Sequence, residues 1–371
     1  SGDAVAPDEA PPEPAFLQLA RSAAAEDRFS GVIVAIRRDE VIRYHAGLAD
    51  ASWQVAMTPD ARFEMYSVSK TVAAVAVLES HERGVLDIDT PLEETVAWWP
   101  DAWAGVTARH LLAHRSGLPE TGFSDLWTGS LSGTVEAFLE TQPADIALIS
   151  EPGEAFRYSN FAYAILAAAV ETVWERPYQD VLDELVFTPA GMSEAGSARG
   201  ARPEMFDLPG DFGPRADQIR GQLLTSAGPL VVDRLVSGYD GSPEQLIHVD
   251  VNAAASQGAS GVFATADDMV SFLDALWVDQ TLLEPETLEM MRTPTNGRER
   301  GYALGLNVAR GESGAELFHT GGINGFQIHV GYYPDTDGTL IYMSNHGFAP
   351  FREITTAMRD WVMDQEAGAA R

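Results

Sequence analysis

Apolar and polar positions follow two different periods along this chain. Residues 16–25 and 69–83 carry apolar side chains at helical spacing, and Gly84 follows the second run as a C-terminal stop. Residues 31–36 and 41–46 are β-like runs on either side of a charged turn. This pattern predicts a helix, a β-hairpin and a second helix in the first quarter of the chain.

The middle of the chain predicts mostly helix, and the C-terminal part returns to strands. Residues 160–174 and 178–187 have helical periods, and Thr107 is placed to cap a helix at 108–114. Residues 196–258 are rich in Gly, Pro and Asp and predict little regular structure. The remaining predicted elements are a helix at 266–277 capped by Thr265, strands at 303–308, 317–320, 326–333 and 339–344, and a helix at 351–365.

This order of elements predicts an α/β fold of the α+β sandwich kind. Strands from both ends would form one antiparallel sheet with flanking helices, and an all-helical lobe would be inserted between them. We expect a flexible acidic, proline-rich leader at 1–14 and one domain at 15–367. The α/β lobe would comprise about 15–70 and 260–367, and the mostly helical lobe about 71–259.

Composition narrows the partners. The net charge of −31 argues against nucleic acid and anionic membrane surfaces, and no apolar run reaches the length of about 18 residues that a membrane span needs. The chain has no cysteine, which excludes disulfides and thiolate chemistry but fits the periplasm, a secreted protein or the cytoplasm equally. A removed signal peptide would leave no trace here, and the oligomeric state stays open.

Lys70 is the only lysine among 24 lysine and arginine residues, and it stands in Ser67-Val68-Ser69-Lys70. Arginine keeps its proton near neutral pH, whereas lysine can lose it when its surroundings depress its pKa. Residues three apart share a helix face, so the Lys70 amine can reach the Ser67 hydroxyl and activate it as a nucleophile. Ser69 is interpreted as a helix-start residue that faces away.

Two later segments supply matching chemistry. In Tyr158-Ser159-Asn160 the phenol can move a proton, and the amide of Asn160 can bind Lys70 and the substrate. The other segment is His319-Thr320-Gly321-Gly322 on a late strand. Its glycines let a substrate backbone approach, and the Gly322 N–H can be a second oxyanion donor; the alternative is that they mark a bulge.

The order Ser-x-x-Lys, Tyr-x-Asn, His-Thr-Gly resembles the penicillin-recognising serine hydrolases. It is most similar to class C β-lactamases, actinomycete-type DD-peptidases and family VIII carboxylesterases, and further similar segments lie at 107–119, 189–192 and 261–268. The resemblance spans about 16–365. It implies a bacterial hydrolase with catalytic Ser67, Lys70 and Tyr158, working without a cofactor or metal on small ester, amide or peptide substrates.

One departure from the family pattern bears on the substrate. His319 stands where β-lactamases of this group usually have lysine, and a histidine is mostly neutral at pH 7. The carboxylate of a β-lactam would be held weakly. A carboxylesterase is therefore expected first, and a D-Ala-D-Ala carboxypeptidase, D-aminopeptidase or weak β-lactamase next. A catalytically silent penicillin- or peptide-binding protein is the alternative of another class.

Several further residues have two interpretations each. Phe123, Trp127 and Phe156 are candidates for lining an acyl pocket or for packing, and Asn324 for touching substrate or shaping a turn. His110 and His114 are four apart but lack a metal-site pattern, so a structural role is expected. His346 stays open between function and packing.

Overall fold

The computed structural model describes residues 12–120, 147–197, 234–249, 257–311, 314–323 and 325–364. Phe123, Trp127 and Asn324 lie outside the described residues, as does most of the predicted leader. The helices are α1 (Ala15–Ala25), α2 (Ser69–Glu82), α3 (Ala108–Leu112), α4 (Asn160–Trp174), α5 (Tyr178–Leu182), α6 (Ala266–Leu273), α7 (Pro285–Met291) and α8 (Phe351–Met363). The strands are β1 (Gly31–Arg37), β2 (Glu40–Ala46), β3 (Leu48–Asp50), β4 (Val55–Ala56), β5 (Phe63–Glu64), β6 (Gly196–Ser197), β7 (Gly238–Ser242), β8 (Gln245–Val249), β9 (Val262–Ala264), β10 (Gly301–Tyr302), β11 (Asn307–Gly311), β12 (Gly314–Ile323), β13 (Phe326–Tyr333) and β14 (Gly338–Ser344).

The main sheet joins the two ends of the chain. Its seven antiparallel strands have the order β10-β11-β12-β13-β14-β1-β2. Gly31 at the start of β1 pairs with Ser344 of β14 on one side and with Ala46 of β2 on the other. The predicted antiparallel sheet of N- and C-terminal strands is confirmed.

Helices cover both faces of this sheet. On one face α1 and α8 enclose a small core in which Phe16, Ile33, Tyr342 and Met358 are fully buried. On the other face α2 runs through the largest core, with buried side chains all round. Its many Ala and Val residues are small enough to let the neighbouring α4 pack closely, which is typical of a helix with no solvent face.

Two predicted threonine caps are confirmed. The Thr107 hydroxyl accepts from the backbone N–H of His110 at the start of α3, and Thr265 accepts from that of Asp268 at the start of α6. Each cap is reciprocal, because the side chain of the third helical residue accepts from the capping residue's own N–H. The helix α4 begins and ends as expected, with Ser159 as its cap.

The predicted strand at 303–308 is wrong for residues 303–306, and only its last two residues lie in a strand. β10 ends at Tyr302 and β11 begins at Asn307, and the apolar residues between them are buried in a turn. Gly305 lies in that turn at φ +86°, and a Cβ there would come 2.3 Å from the Cβ of Ala74 on α2. Burial in this stretch therefore comes from packing on α2 and not from strand pairing.

The prediction of little regular structure at 196–258 also needs correction. The described part of this segment contains the hairpin of β7 and β8. Its anchor is Asn345 after β14, whose Nδ2 donates to Ser237 O at 2.8 Å. Tyr239 adds a second contact, donating to Asp50 Oδ1 at 3.0 Å.

Among the described residues, no helix has the length and hydropathy needed to cross a bilayer.

Candidate active site

Ser67 lies in a tight turn between β5 and α2. The 3-10 turn Tyr66–Val68 precedes Ser69, the first residue of α2. Tyr66 is buried at φ +44°, a left-handed conformation that is costly for a non-glycine residue, and its ring packs 5.1 Å from that of Phe326. This packing holds the turn so that Ser67 lines a cavity of about 480 Å³.

Lys70 is completely buried on the first turn of α2. Its Nζ lies 3.1 Å from Ser67 Oγ, 2.8 Å from Asn160 Oδ1 and 2.8 Å from the carbonyl oxygen of Ala259. The structure thus brings together the two ends of the Ser-x-x-Lys motif and the asparagine of the second motif.

Burial lowers the pKa of Lys70 from 10.5 to about 7, and the carboxylate of Glu120 opposes this shift. A neutral amine has two N–H donors and one lone pair. The two N–H groups match the oxygens of Asn160 and Ala259, which leaves the lone pair facing Ser67 Oγ–H. The contacts around Nζ therefore suit a base that takes the serine proton.

Tyr158 lies over the lysine, with Lys70 Nζ 4.9 Å from the centre of its ring. Partial burial raises the pKa of Tyr158 above its usual value of 10; a hydrogen bond with Ser67 lowers it, and the nearby charge of Glu120 raises it further. The phenol is protonated at neutral pH. It can donate and accept a proton in a relay, but it is not deprotonated and so does not act as the base by itself.

The strand β12 runs directly beside Ser67. A Cβ on Gly321 would come 2.3 Å from the carbonyl oxygen of Met65 and 3.2 Å from the backbone N of Ser67, so only glycine fits. Pairing of β12 with β13 continues through Gly321 and Gly322 without a register shift, which rules out the bulge interpretation. On its other side β12 pairs with β11 only as far as Phe318, among the described residues.

His319 is held in one neutral tautomer. Its Nδ1 lies 2.7 Å from Thr320 O, which can only accept, so Nδ1 carries the proton. Nε2 must then accept from the hydroxyl of Tyr302 at 3.1 Å. Burial and then the charge of Lys70 lower the pKa of His319 to about 3. Both ring nitrogens are engaged, and the side chain is 4% exposed.

The other histidines and Ser69 have structural contacts. His110 closes the cap of α3, and Ser69 Oγ accepts from Val262 N at 3.2 Å. His346 packs on Tyr239 and Phe348, outside the described cavity lining. Within the described ranges, no group of three or more His, Cys, Asp or Glu could hold a metal ion.

Sequence reasoning missed three groups at the site. Glu120 accepts from Ser159 Oγ at 2.6 Å and from Asn160 N at 2.9 Å, beside Lys70. Tyr302 fixes His319, and the Ala259 carbonyl binds Lys70. Glu120 directly follows the segment 107–119, and this position is the one signal for it in the sequence. A backbone carbonyl such as that of Ala259 gives no sequence signal.

The cavity wall is aromatic and uncharged where the structure describes it. Phe156, Tyr158, Tyr302, Phe326 and Phe351 line it, together with the glycine-rich part of β12. Phe156 is half exposed at this wall, as expected for a pocket residue, and it also packs 5.9 Å from Tyr302. None of the described lining residues is Arg or Lys.

Comparison with known proteins gives a consistent result. Residues 16–362 match the sequence model of the family described as Beta-lactamase. The chain is 26% identical to penicillin-binding protein 4* of Bacillus subtilis (strain 168), covering 86% of this chain and 68% of that protein. It is 29% identical to Esterase EstB of Burkholderia gladioli, covering 71% and 69%. The crystal structure of a penicillin binding protein from Bacillus halodurans has the same fold, with a TM-score of 0.73 at 21% identity, over 94% of this chain and all of that one.

Proposed function

Because the chain belongs to the Beta-lactamase family of serine hydrolases, we propose that it hydrolyses carboxylic esters of small molecules through an acyl-enzyme on Ser67. Ser67 Oγ attacks the ester carbonyl carbon and gives its proton to Lys70 Nζ. The leaving alcohol takes a proton through Tyr158. Water then attacks the acyl-enzyme by the reverse proton route and releases the acid.

The oxyanion of each tetrahedral intermediate needs donors that are already in place. We assign this role to the backbone N–H groups of Ser67 and Gly322. The close approach of β12 to the 3-10 turn supports this assignment, because Gly321 packs against the Ser67 backbone. Such donors contribute about 10²–10³-fold in kcat each in serine hydrolases.

The state of His319 is the observation that carries the ester preference. A β-lactam presents a carboxylate, which binds best to a cation or a free donor. His319 is neutral and has no free N–H, because Thr320 O and the Tyr302 hydroxyl take both nitrogens. The described lining adds no Arg or Lys. An uncharged ester needs no such partner, so this cavity does not disfavour its binding.

A second candidate is hydrolysis of amides of amino acids that carry a free ammonium group. Glu120 favours it, because this exposed carboxylate lies against the Ser159–Asn160 backbone beside the catalytic lysine. A substrate ammonium near Asn160 would be attracted to it, whereas a substrate carboxylate would be repelled.

A substrate panel tests these proposals. We expect kcat/KM for p-nitrophenyl butyrate to exceed that for nitrocefin, a D-Ala-D-Ala peptide and D-phenylalanine amide, and Ser67→Ala to abolish turnover. Faster nitrocefin hydrolysis would overturn the ester preference, and fastest D-phenylalanine amide hydrolysis would favour the second candidate. Failure of a labelled fluorophosphonate to react with the folded protein would indicate a binding protein instead.

A further inference from the structure

His114 holds the backbone on both sides of Tyr158. Its carbonyl oxygen accepts from the N–H of Arg157 at 2.7 Å, and its Nδ1 accepts from the N–H of Ser159 at 3.0 Å. One residue thus binds the two neighbours of the phenol and leaves Tyr158 between the two bonds.

The imidazole also supports the phenol ring itself. The ring centres of His114 and Tyr158 are 4.3 Å apart and tilted by 38°, while Tyr302 and Tyr163 pack on the imidazole at 4.6 and 5.0 Å. Tyr158 is 42% exposed towards the cavity, whereas His114 is only 1% exposed. A side chain that open needs a rigid neighbour to keep one orientation.

Two features of His114 are energetically unfavourable and would not be expected of an ordinary packing residue. It has a left-handed backbone at φ +56°. Because Nδ1 accepts, the ring proton is on Nε2, which is buried and has no hydrogen-bond partner among the described residues. Burial, with Lys70 and His319 nearby, keeps the pKa of His114 well below 6.5, so the Nδ1 acceptor persists at neutral pH.

We propose that His114 is a positioning residue for Tyr158: its carbonyl and Nδ1 bonds fix the backbone at Arg157 and Ser159, and its ring fixes the plane of the phenol over Lys70. This inference rests on Tyr158 as the proton carrier of the proposed function. His114 touches no substrate and moves no proton.

Two substitutions at position 114 separate the contribution of the Nδ1 acceptor from that of the aromatic ring. His114→Phe keeps an aromatic ring and removes the acceptor for Ser159 N. His114→Asn places Oδ1 near the position of Nδ1, and asparagine tolerates a left-handed backbone. We expect His114→Phe to lower kcat about 10- to 100-fold with KM within about twofold, the size of loss that a misplaced catalytic group produces. His114→Asn keeps the acceptor for Ser159 N but loses the ring contact with Tyr158, so it should lower kcat less than His114→Phe does, by about fivefold.

His110 offers a matched control on the same segment. Its Nδ1 also accepts a backbone N–H, that of Thr107, but it supports the cap of α3 and not Tyr158. His110→Phe should lower the melting temperature and leave kcat unchanged. Equal kcat losses for His110→Phe and His114→Phe would mean that both act through stability, and the proposal would fail.

The decisive measurement is a double-mutant cycle with Tyr158→Phe. If His114 acts through the phenol, His114→Phe should change kcat by less than about twofold in the Tyr158→Phe background. The same loss in both backgrounds would overturn the proposal, as would an equal loss for Asn and Phe at position 114. His114→Ala replaces the Phe variant if that does not fold. If esters are not hydrolysed, the ester proposal fails. The coupling between positions 114 and 158 can then still be measured from the rate of fluorophosphonate labelling of the same four proteins.

Discussion

Replacement of Lys70 by arginine keeps a cationic side chain and removes the proposed base. At pH 7 a lysine with a pKa of about 7 is roughly half neutral, whereas an arginine with a pKa above about 12 is neutral in about one molecule in 10⁵ or fewer. A positioned general base contributes about 10²–10⁴-fold. We therefore expect Lys70→Arg to lower kcat for p-nitrophenyl butyrate by about that factor.

The same substitution should also lower the stability of the protein. Lys70 is completely buried, with its Nζ among three oxygens. A longer, forked guanidinium overfills this site, at about 1–3 kcal/mol. The assay is steady-state kinetics at a temperature where circular dichroism shows the variant to be folded. Wild-type turnover by folded Lys70→Arg would refute Lys70 as the base.

Three further outcomes are expected. The kcat/KM of the wild type should rise with pH and level off above about 7, falling about tenfold per pH unit below, because only neutral Lys70 accepts the Ser67 proton; a flat profile between pH 5 and 8 would contradict this. His319→Lys should raise the nitrocefin to p-nitrophenyl butyrate ratio of kcat/KM by about ten- to a hundred-fold, as one charge-assisted hydrogen bond allows; an unchanged ratio would count against the role given to His319. Gly321→Ala should lower kcat about 100-fold by displacing the Ser67 turn, whereas Gly311→Ala, where a Cβ has open space, should not; equal kinetics for the two variants would contradict the tight-contact argument.

The parts of the fold that follow local rules were predictable from the sequence. The caps at Thr107 and Thr265 and the hairpin of β1 and β2 depend on residues close in the chain, and each was confirmed. The hairpin of β7 and β8 was missed, because long-range bonds from Asn345 and Tyr239 hold it and neither signal is local.

The sequence predicted which side chains belong to the candidate site, but it did not predict every hydrogen bond among them. The motifs named Ser67, Lys70, Tyr158 and His319 in order. They could not give the tautomer of His319, because that depends on Tyr302, which lies near it only in the folded chain.

Covalent labelling of the nucleophile is the most direct test of the central claim. The protein would be treated with a labelled fluorophosphonate at pH 8, and its intact mass and peptide map would be measured beside Ser67→Ala and Ser69→Ala. The account predicts one adduct per chain on the peptide that contains Ser67, retained in Ser69→Ala and absent from Ser67→Ala. An adduct that persists in Ser67→Ala, or that maps to another serine, would contradict it.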